Sequence, residues 1–111
     1  MSKNDLPKLV RDKIPVIMAS CGVECDMDIL SGEDYVNALE AKLDEEIAEY
    51  HADHTLEELA DLVEVIYSLV EASGHRVGEL HEIRWKKLNE RGGFGKGTLL
   101  KKIYCEEKKD D

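Results

Sequence analysis

Five acidic side chains at helical spacing are the part of this 111-residue sequence best suited to chemistry: Glu45, Glu46, Glu49, Glu58 and Asp61. Glu46 and Glu49 are three positions apart, as are Glu58 and Asp61, so each pair shares one helical face. Carboxylates brought together repel one another, and some would take up protons unless a cation lay between them. A hard divalent cation prefers oxygen ligands, so the pattern predicts a Mg²⁺ site, with Mn²⁺ as a substitute.

Two other interpretations of these acids are open. In a chain that is 36% charged, glutamates at helical spacing often form a solvated face, and Glu58 would then serve only as the acid of a capping box. A di-iron helical bundle is disfavoured, because that chemistry uses Glu-x-x-His on its helices. None of the four histidines has Glu or Asp three positions before it.

Apolar periodicity predicts the helices that position the acids. One helix is expected over residues 33–52, introduced by a capping-box-like Ser31, and a second runs from the N-cap Thr55 to Ala72 before Gly74. A more polar helix follows over 76–89. A short helix is expected over 15–21, ended by Gly22, and residues 23–30 are predicted as an extended segment or a short strand.

The two long helices are predicted to bring the acids together. On the second one, Glu58 projects inside a wide apolar arc and Asp61 lies at its border. On the first long helix, Glu46 lies at the flank of the apolar stripe. Glu49 lies beside Glu46, and Glu45 lies further round the helix. The short connection at residues 53–54 makes the helices antiparallel neighbours, so we expect four carboxylates to converge on one site.

Three sequence segments occur in this order: Lys8-Leu-Val-Arg-Asp-Lys-Ile-Pro15, then Glu45-Glu46-Ile-Ala-Glu49 with Glu58-Leu-Ala-Asp61, and Arg91-Gly-Gly-Phe94. Together they resemble the all-α nucleoside triphosphate pyrophosphatases, the superfamily of MazG, the dimeric dUTPases and phosphoribosyl-ATP pyrophosphohydrolase. The second segment is similar to the EExxE…ExxD signature of the superfamily, and the first and third are similar to its small phosphoribosyl-ATP pyrophosphohydrolase-like branch. The resemblance spans residues 8–100.

The resemblance implies an activity and a role for each acid. Glu46, Glu49, Glu58 and Asp61 are expected to ligate Mg²⁺, and Glu45 is the expected catalytic residue that supports the attacking water or a second ion. The implied reaction cleaves a nucleotide between its α- and β-phosphates, giving the monophosphate and pyrophosphate, as in the removal of unwanted nucleotides. The base and sugar of the substrate stay open.

Phosphate groups also need cations. The expected phosphate contacts are Lys8, Arg11 and Lys13 in the N-terminal arm and Lys87 and Arg91 at the end of the third long helix, although the last two equally suit a helix C-terminus. Gly92 and Gly93 either let the backbone approach a phosphate or form a C-cap. A base could stack on one of three aromatic residues that are otherwise core residues: Trp85, Tyr35 or Phe94.

The composition of the chain limits the kinds of molecule that it is expected to bind. With 25 acidic against 15 basic residues the net charge is −10, which disfavours polymeric nucleic acid and anionic membranes and leaves a nucleotide as the expected small-molecule partner. Three cysteines without zinc-site spacing, no signal peptide and no membrane span predict a reduced, cytoplasmic protein. Cys21 and Cys25 are either a redox pair or small hydrophobes near a turn.

The expected fold is all-α, an antiparallel helical bundle of the all-α NTP pyrophosphatase type. Residues 1–111 form a single domain: a basic arm with a short helix over 1–30, a helical core over 31–91, and a Gly-rich loop with a frayed charged tail over 92–111. Three helices leave apolar faces uncovered, so a homodimer or dimer of dimers should complete the bundle. The alternative function is a catalytically silent regulatory or interaction module that keeps a structural Mg²⁺.

Overall fold

The protein is all-helical over residues 6–105, the part described by this computed structural model, and that part contains no β-strand. Its four helices are α1 (Ile14–Ser20), α2 (Gly32–Asp53), α3 (Leu56–Ala72) and α4 (Val77–Arg91). The helical prediction is therefore confirmed within one or two residues at most boundaries. The alternative of a strand over 23–30 was wrong. The expected fraying of the charged tail beyond residue 105, like the first five residues of the basic arm, lies outside the described residues.

Local sequence explains the ends of the two long helices. The hydroxyl of Thr55 accepts a hydrogen bond from the backbone N–H of Glu58 at 3.3 Å, which confirms Thr55 as the N-cap of α3. The capping box expected at Ser31 is not formed, because Ser31 is the N-cap of α2 but its side chain makes no capping hydrogen bond. Between the helices, His54 adopts a left-handed conformation with φ +54° that reverses the chain in a two-residue connection.

Helices α2 and α3 pack against each other as antiparallel neighbours, and α4 contacts α3. The contact between α3 and α4 includes a 2.9 Å hydrogen bond between Tyr67 Oη and His81 Nε2. From His81 to Arg91 every residue of α4 is exposed, so the apolar residues of this helix are partly covered only at its start, at Val77 and Leu80.

The chain is elongated for its length. Its Cα radius of gyration is 18.7 Å and its extents are 63 × 32 × 20 Å, whereas a compact domain of this size has a radius of gyration of about 13 Å. No helix in the described part of the chain is both long and apolar enough to cross a membrane. The three cysteines are free and exposed.

Candidate metal centre

Carboxylates occupy the interior of this protein. Only two apolar residues of the described chain, Leu39 and Val65, are buried, and they share the interior with four glutamates: Glu45, Glu46, Glu49 and Glu58. Removing a carboxylate from water is unfavourable unless it gains a counter-ion, a hydrogen bond or a metal ion. The arrangement of these acids is therefore the main feature of the structure to explain.

Three of the predicted acids meet where α2 packs against the first turns of α3. One ligand oxygen each from Glu46, Glu58 and Asp61 lies within 4.8 Å of the other two. The spacing of three residues between Glu58 and Asp61 puts both on the same face of α3, and the antiparallel packing brings Glu46 opposite them. We refer to these three residues as the acidic triad. No other such group of metal-compatible side chains occurs within residues 6–105.

The acidic triad has the properties of a site for a hard cation. Glu46 Oε2 is buried and accepts no hydrogen bond. Burial raises the pKa of the Glu46 carboxyl above its ordinary value; Lys42 opposes that rise, whereas Asp61 and Glu49 add repulsion. All donors are oxygens, and their separation is close to the span of about 4–5 Å between opposite ligands of one cation. The residues therefore fit a divalent metal ion.

Positive side chains already surround these acids. Arg11 Nη2 donates a hydrogen bond to Asp61 Oδ1 at 2.6 Å, and this contact raises the pKa of Arg11 above its ordinary value. Lys42 Nζ lies 3.2 Å from Glu46 Oε1 and 3.4 Å from Glu45 Oε1. The ammonium of Lys8 is 3.7 Å from the same Glu45 oxygen. Two cations expected to contact phosphate thus lie beside the acids, where they offset part of the negative charge.

Lys42 was missed in the sequence. A detectable signal was present, because Lys42 precedes Glu45 and Glu46 by three and four positions, the spacing at which side chains on a helix meet. Glu45 was placed wrongly, since it was expected further round α2 and is instead among the most buried side chains of the described chain. Its part in catalysis stays a prediction, as does metal ligation by Glu49, which is buried on α2 but is not a member of the acidic triad.

A cavity of about 600 Å³ opens next to the acidic triad. The charged residues that line it are Lys8, Arg11, Asp12, Lys42, Glu46, Asp61 and Glu64. The rest is largely apolar and is lined by the N-terminal arm, α1 and the facing sides of α2 and α3, including Leu9, Ile14, Met18, Tyr35 and Val65. A cavity lined by both charged and apolar residues suits a ligand that has a phosphate group and an apolar or aromatic group.

The remaining predicted contacts lie elsewhere. Lys13, Lys87 and Arg91 are exposed and do not line this cavity, so their contact with phosphate stays a prediction. Of the three candidate aromatics, Tyr35 lines the cavity, whereas Trp85 and Phe94 are exposed outside it. Gly92, with φ +81°, is the C-cap of α4 and donates its N–H to Leu88 O, which confirms the capping alternative for this glycine.

Comparison with known proteins gives little further information. The chain is 44% identical over 50 residues to a curated protein of Mycolicibacterium smegmatis that is described only as an uncharacterized protein. The matched region is 45% of this chain and 51% of that relative, so the chain spans about half the length of the relative. No protein-family model and no solved structure matches the chain.

Proposed function

We propose that this protein is a Mg²⁺-dependent nucleotide pyrophosphohydrolase. The observation that carries the proposal is the acidic triad, in which the buried Glu46 Oε2 accepts no hydrogen bond, beside a cavity that Lys8 and Arg11 also line. An all-oxygen cation site next to cationic side chains is the combination that a reaction at a phosphoric anhydride needs. The resemblance of the sequence to the MazG-type enzymes supports the same reaction class.

The roles of the residues follow from their positions. Glu46, Glu58 and Asp61 would hold the ion, which when bound supplies charge neutralisation for the phosphates and acidifies water. Lys8 and Arg11 would bind the outer phosphates of the nucleotide. Water attacks the anhydride, one bridging P–O bond between the α- and β-phosphates breaks, and the products are the monophosphate, pyrophosphate and a proton. Glu45 is the proposed acceptor of that proton.

Dimerisation is part of the proposal, because α3 is apolar on two sides. One side, with Glu58 and Val65, packs inside the chain, whereas Leu59, Val63 and Ile66 form an exposed stripe on the other side at helical spacing. A contiguous exposed apolar surface is a candidate contact surface for another protein. We propose that a second copy of the chain covers this one, in a homodimer or dimer of dimers. Cytoplasmic location belongs to the same proposal, in keeping with three free cysteines.

A catalytically silent interaction module with structural Mg²⁺ is the second candidate. It is favoured by the exposed apolar stripe on α3, and by the fact that Arg11 and Lys42 already neutralise part of the acidic triad. Such a module would bind the cation and a protein partner and would hydrolyse nothing.

An assay of both products separates the two candidates. The purified protein is incubated with Mg²⁺ and a panel of deoxynucleotides, damaged nucleotides, phosphoribosyl-ATP and nucleotide sugars. Monophosphate and pyrophosphate should appear in equal amounts for at least one compound, and chelator should stop the reaction. Glu58→Gln should be inactive, whereas Glu57→Gln, which removes an exposed charge at the next position, should be active. Orthophosphate as the product, or no product at all, would reject the proposed reaction.

A further inference from the structure

The contact between Arg11 and Asp61 joins a cavity residue of the N-terminal arm to a residue of the acidic triad. The guanidinium donates to Asp61 Oδ1 at 2.6 Å although the two residues are 50 positions apart. Arg11 also lines the cavity, and so does Lys8, which lies in the same N-terminal arm. One side chain thus lies within reach of both the cation site and the space proposed for phosphate.

We propose that Arg11 is an exchangeable counter-ion, which pairs with Asp61 when the acidic triad holds no metal ion and turns to the substrate phosphates when a divalent cation binds. The inference rests on the proposed function, because it requires the cation site and a phosphate-bearing ligand. It adds an order to the binding events: the cation binds first and makes the guanidinium available to the anion.

Electrostatics and exposure support the exchange. A divalent cation between Glu46, Glu58 and Asp61 would lie close to the guanidinium that now neutralises Asp61, and the two positive groups repel each other. Arg11 is 57% exposed in its side chain and Asp61 is 37% exposed, so parting them leaves neither charge buried. The cation can therefore replace the guanidinium at Asp61, and the displaced guanidinium stays in contact with water.

Lys42 provides the contrast. Its side chain is only 18% exposed and it is paired with both Glu45 and Glu46. Moving its ammonium would leave two buried carboxylates with less compensation, which is unfavourable. Lys42 should therefore stay in place when the cation binds, and Arg11 is the residue that exchanges.

The experiment compares Arg11→Gln with Arg84→Gln. Arg84 is an exposed arginine of α4 that does not line the cavity, so the control removes the same charge from the same residue type. Mg²⁺ is titrated calorimetrically into each metal-free protein. Arg11→Gln should bind Mg²⁺ on the order of tenfold more tightly than the parent because a competing positive charge has gone, and Arg84→Gln should match the parent. Inorganic pyrophosphate is then titrated into the Mg²⁺-saturated proteins, where Arg11→Gln should bind on the order of tenfold more weakly.

Opposite changes in the two affinities are the result that supports the exchange. A purely structural role for Arg11 would weaken both, and Arg11→Lys, which keeps the charge, should restore most of the competition with Mg²⁺. Melting curves of all variants check that they fold. If Arg11→Gln binds Mg²⁺ with the parent's affinity or more weakly, the exchange is refuted while the proposed function stands, provided that the parent hydrolyses a nucleotide. If the parent binds no divalent cation, both the exchange and the proposed cation site are refuted.

Discussion

Replacing Glu58 by Gln tests the acidic triad most directly. Glu58 is buried at the start of α3 and belongs to the acidic triad with Glu46 and Asp61. The amide keeps the size of the side chain and removes its charge. We expect the variant to be more stable than the parent without metal and less stable than the parent with saturating Mg²⁺, and to have no hydrolytic activity.

The expected size of the first effect follows from the distances. Oxygens of the acidic triad lie within 4.8 Å of one another, and two unit charges at that separation repel by about 3.5 kcal/mol at an effective dielectric constant of about 20. Nearby Arg11 and Lys42 cancel part of this repulsion. A buried amide with an unsatisfied group costs about 1–3 kcal/mol. The net stabilisation should be about 1 kcal/mol, or a melting temperature about 4 °C higher.

Saturating Mg²⁺ should make the parent more stable than Glu58→Gln, which reverses the order expected without metal. A ligand that binds only the folded state stabilises it by about 2.7 kcal/mol at a hundredfold excess over its Kd. The parent should gain stability of this size, whereas Glu58→Gln, with one anionic ligand fewer, should gain little. Melting curves in chelator and in Mg²⁺, measured alongside pyrophosphate release, give both comparisons.

The matched control is Glu57→Gln, which removes an exposed charge from the same turn of α3. It should respond to Mg²⁺ as the parent does. The reasoning would be refuted if Glu58→Gln and Glu57→Gln showed the same melting temperatures and the same Mg²⁺ response, because the charge of Glu58 would then have no special interaction with a cation or with the acidic triad.

Three further predictions concern other residues. Glu45→Gln should keep most of the Mg²⁺-dependent stabilisation but lower turnover on the order of 10²-fold, as measured by initial rates. Val63→Glu should halve the mass measured by light scattering because it places a charge in the exposed stripe of α3, whereas Glu57→Lys, which changes a charge at an exposed position on another side of that helix, should not. Hydrogen bonding from His75 lowers the pKa of Glu79, aided by Arg76. The stability this gives is present above the ordinary pKa of a glutamate and is lost as the pH falls through the lowered one, so Glu79→Gln should melt slightly below the parent at neutral pH and equal it in acid.

The helices could be predicted because their signals are local. The periodicity of apolar residues and the hydroxyl of Thr55 located α3, and its N-cap hydrogen bond is present at 3.3 Å. Ser31 is the N-cap of α2 as predicted, but its capping hydrogen bond is absent, because a capping residue in the sequence does not fix the side-chain rotamer that this bond requires. The course of α4 could not be predicted, since the direction in which a helix leaves its neighbour depends on packing that its own sequence does not encode.

The acids of the candidate site and two of its cations, Lys8 and Arg11, could be predicted from the sequence, whereas Lys42 and the pairing of Arg11 with Asp61 could not. Glu58 was expected inside the apolar arc of α3, and it is buried there. The pairing of Arg11 with Asp61 joins segments 50 residues apart, a distance over which periodicity carries no information. Glu45 was misplaced because the apolar stripe of α2 was taken as its buried side. In the structure the apolar residue Ile47 of α2 is exposed, and the buried side of this helix contains Leu39 and three glutamates.

An interior built for stability would not contain these glutamates. Replacing buried charged groups by apolar residues of similar volume is often neutral or stabilising, so the stability of the isolated chain does not explain why four glutamates are buried beside two apolar residues. At the same time Leu59, Val63 and Ile66 are left in water. A cation in the acidic triad would compensate the first deficit, and a second copy on α3 would compensate the second. Because each compensates a different cost, metal-free protein should still dimerise, whereas a Val63→Glu monomer should depend on Mg²⁺ more strongly than the dimer does.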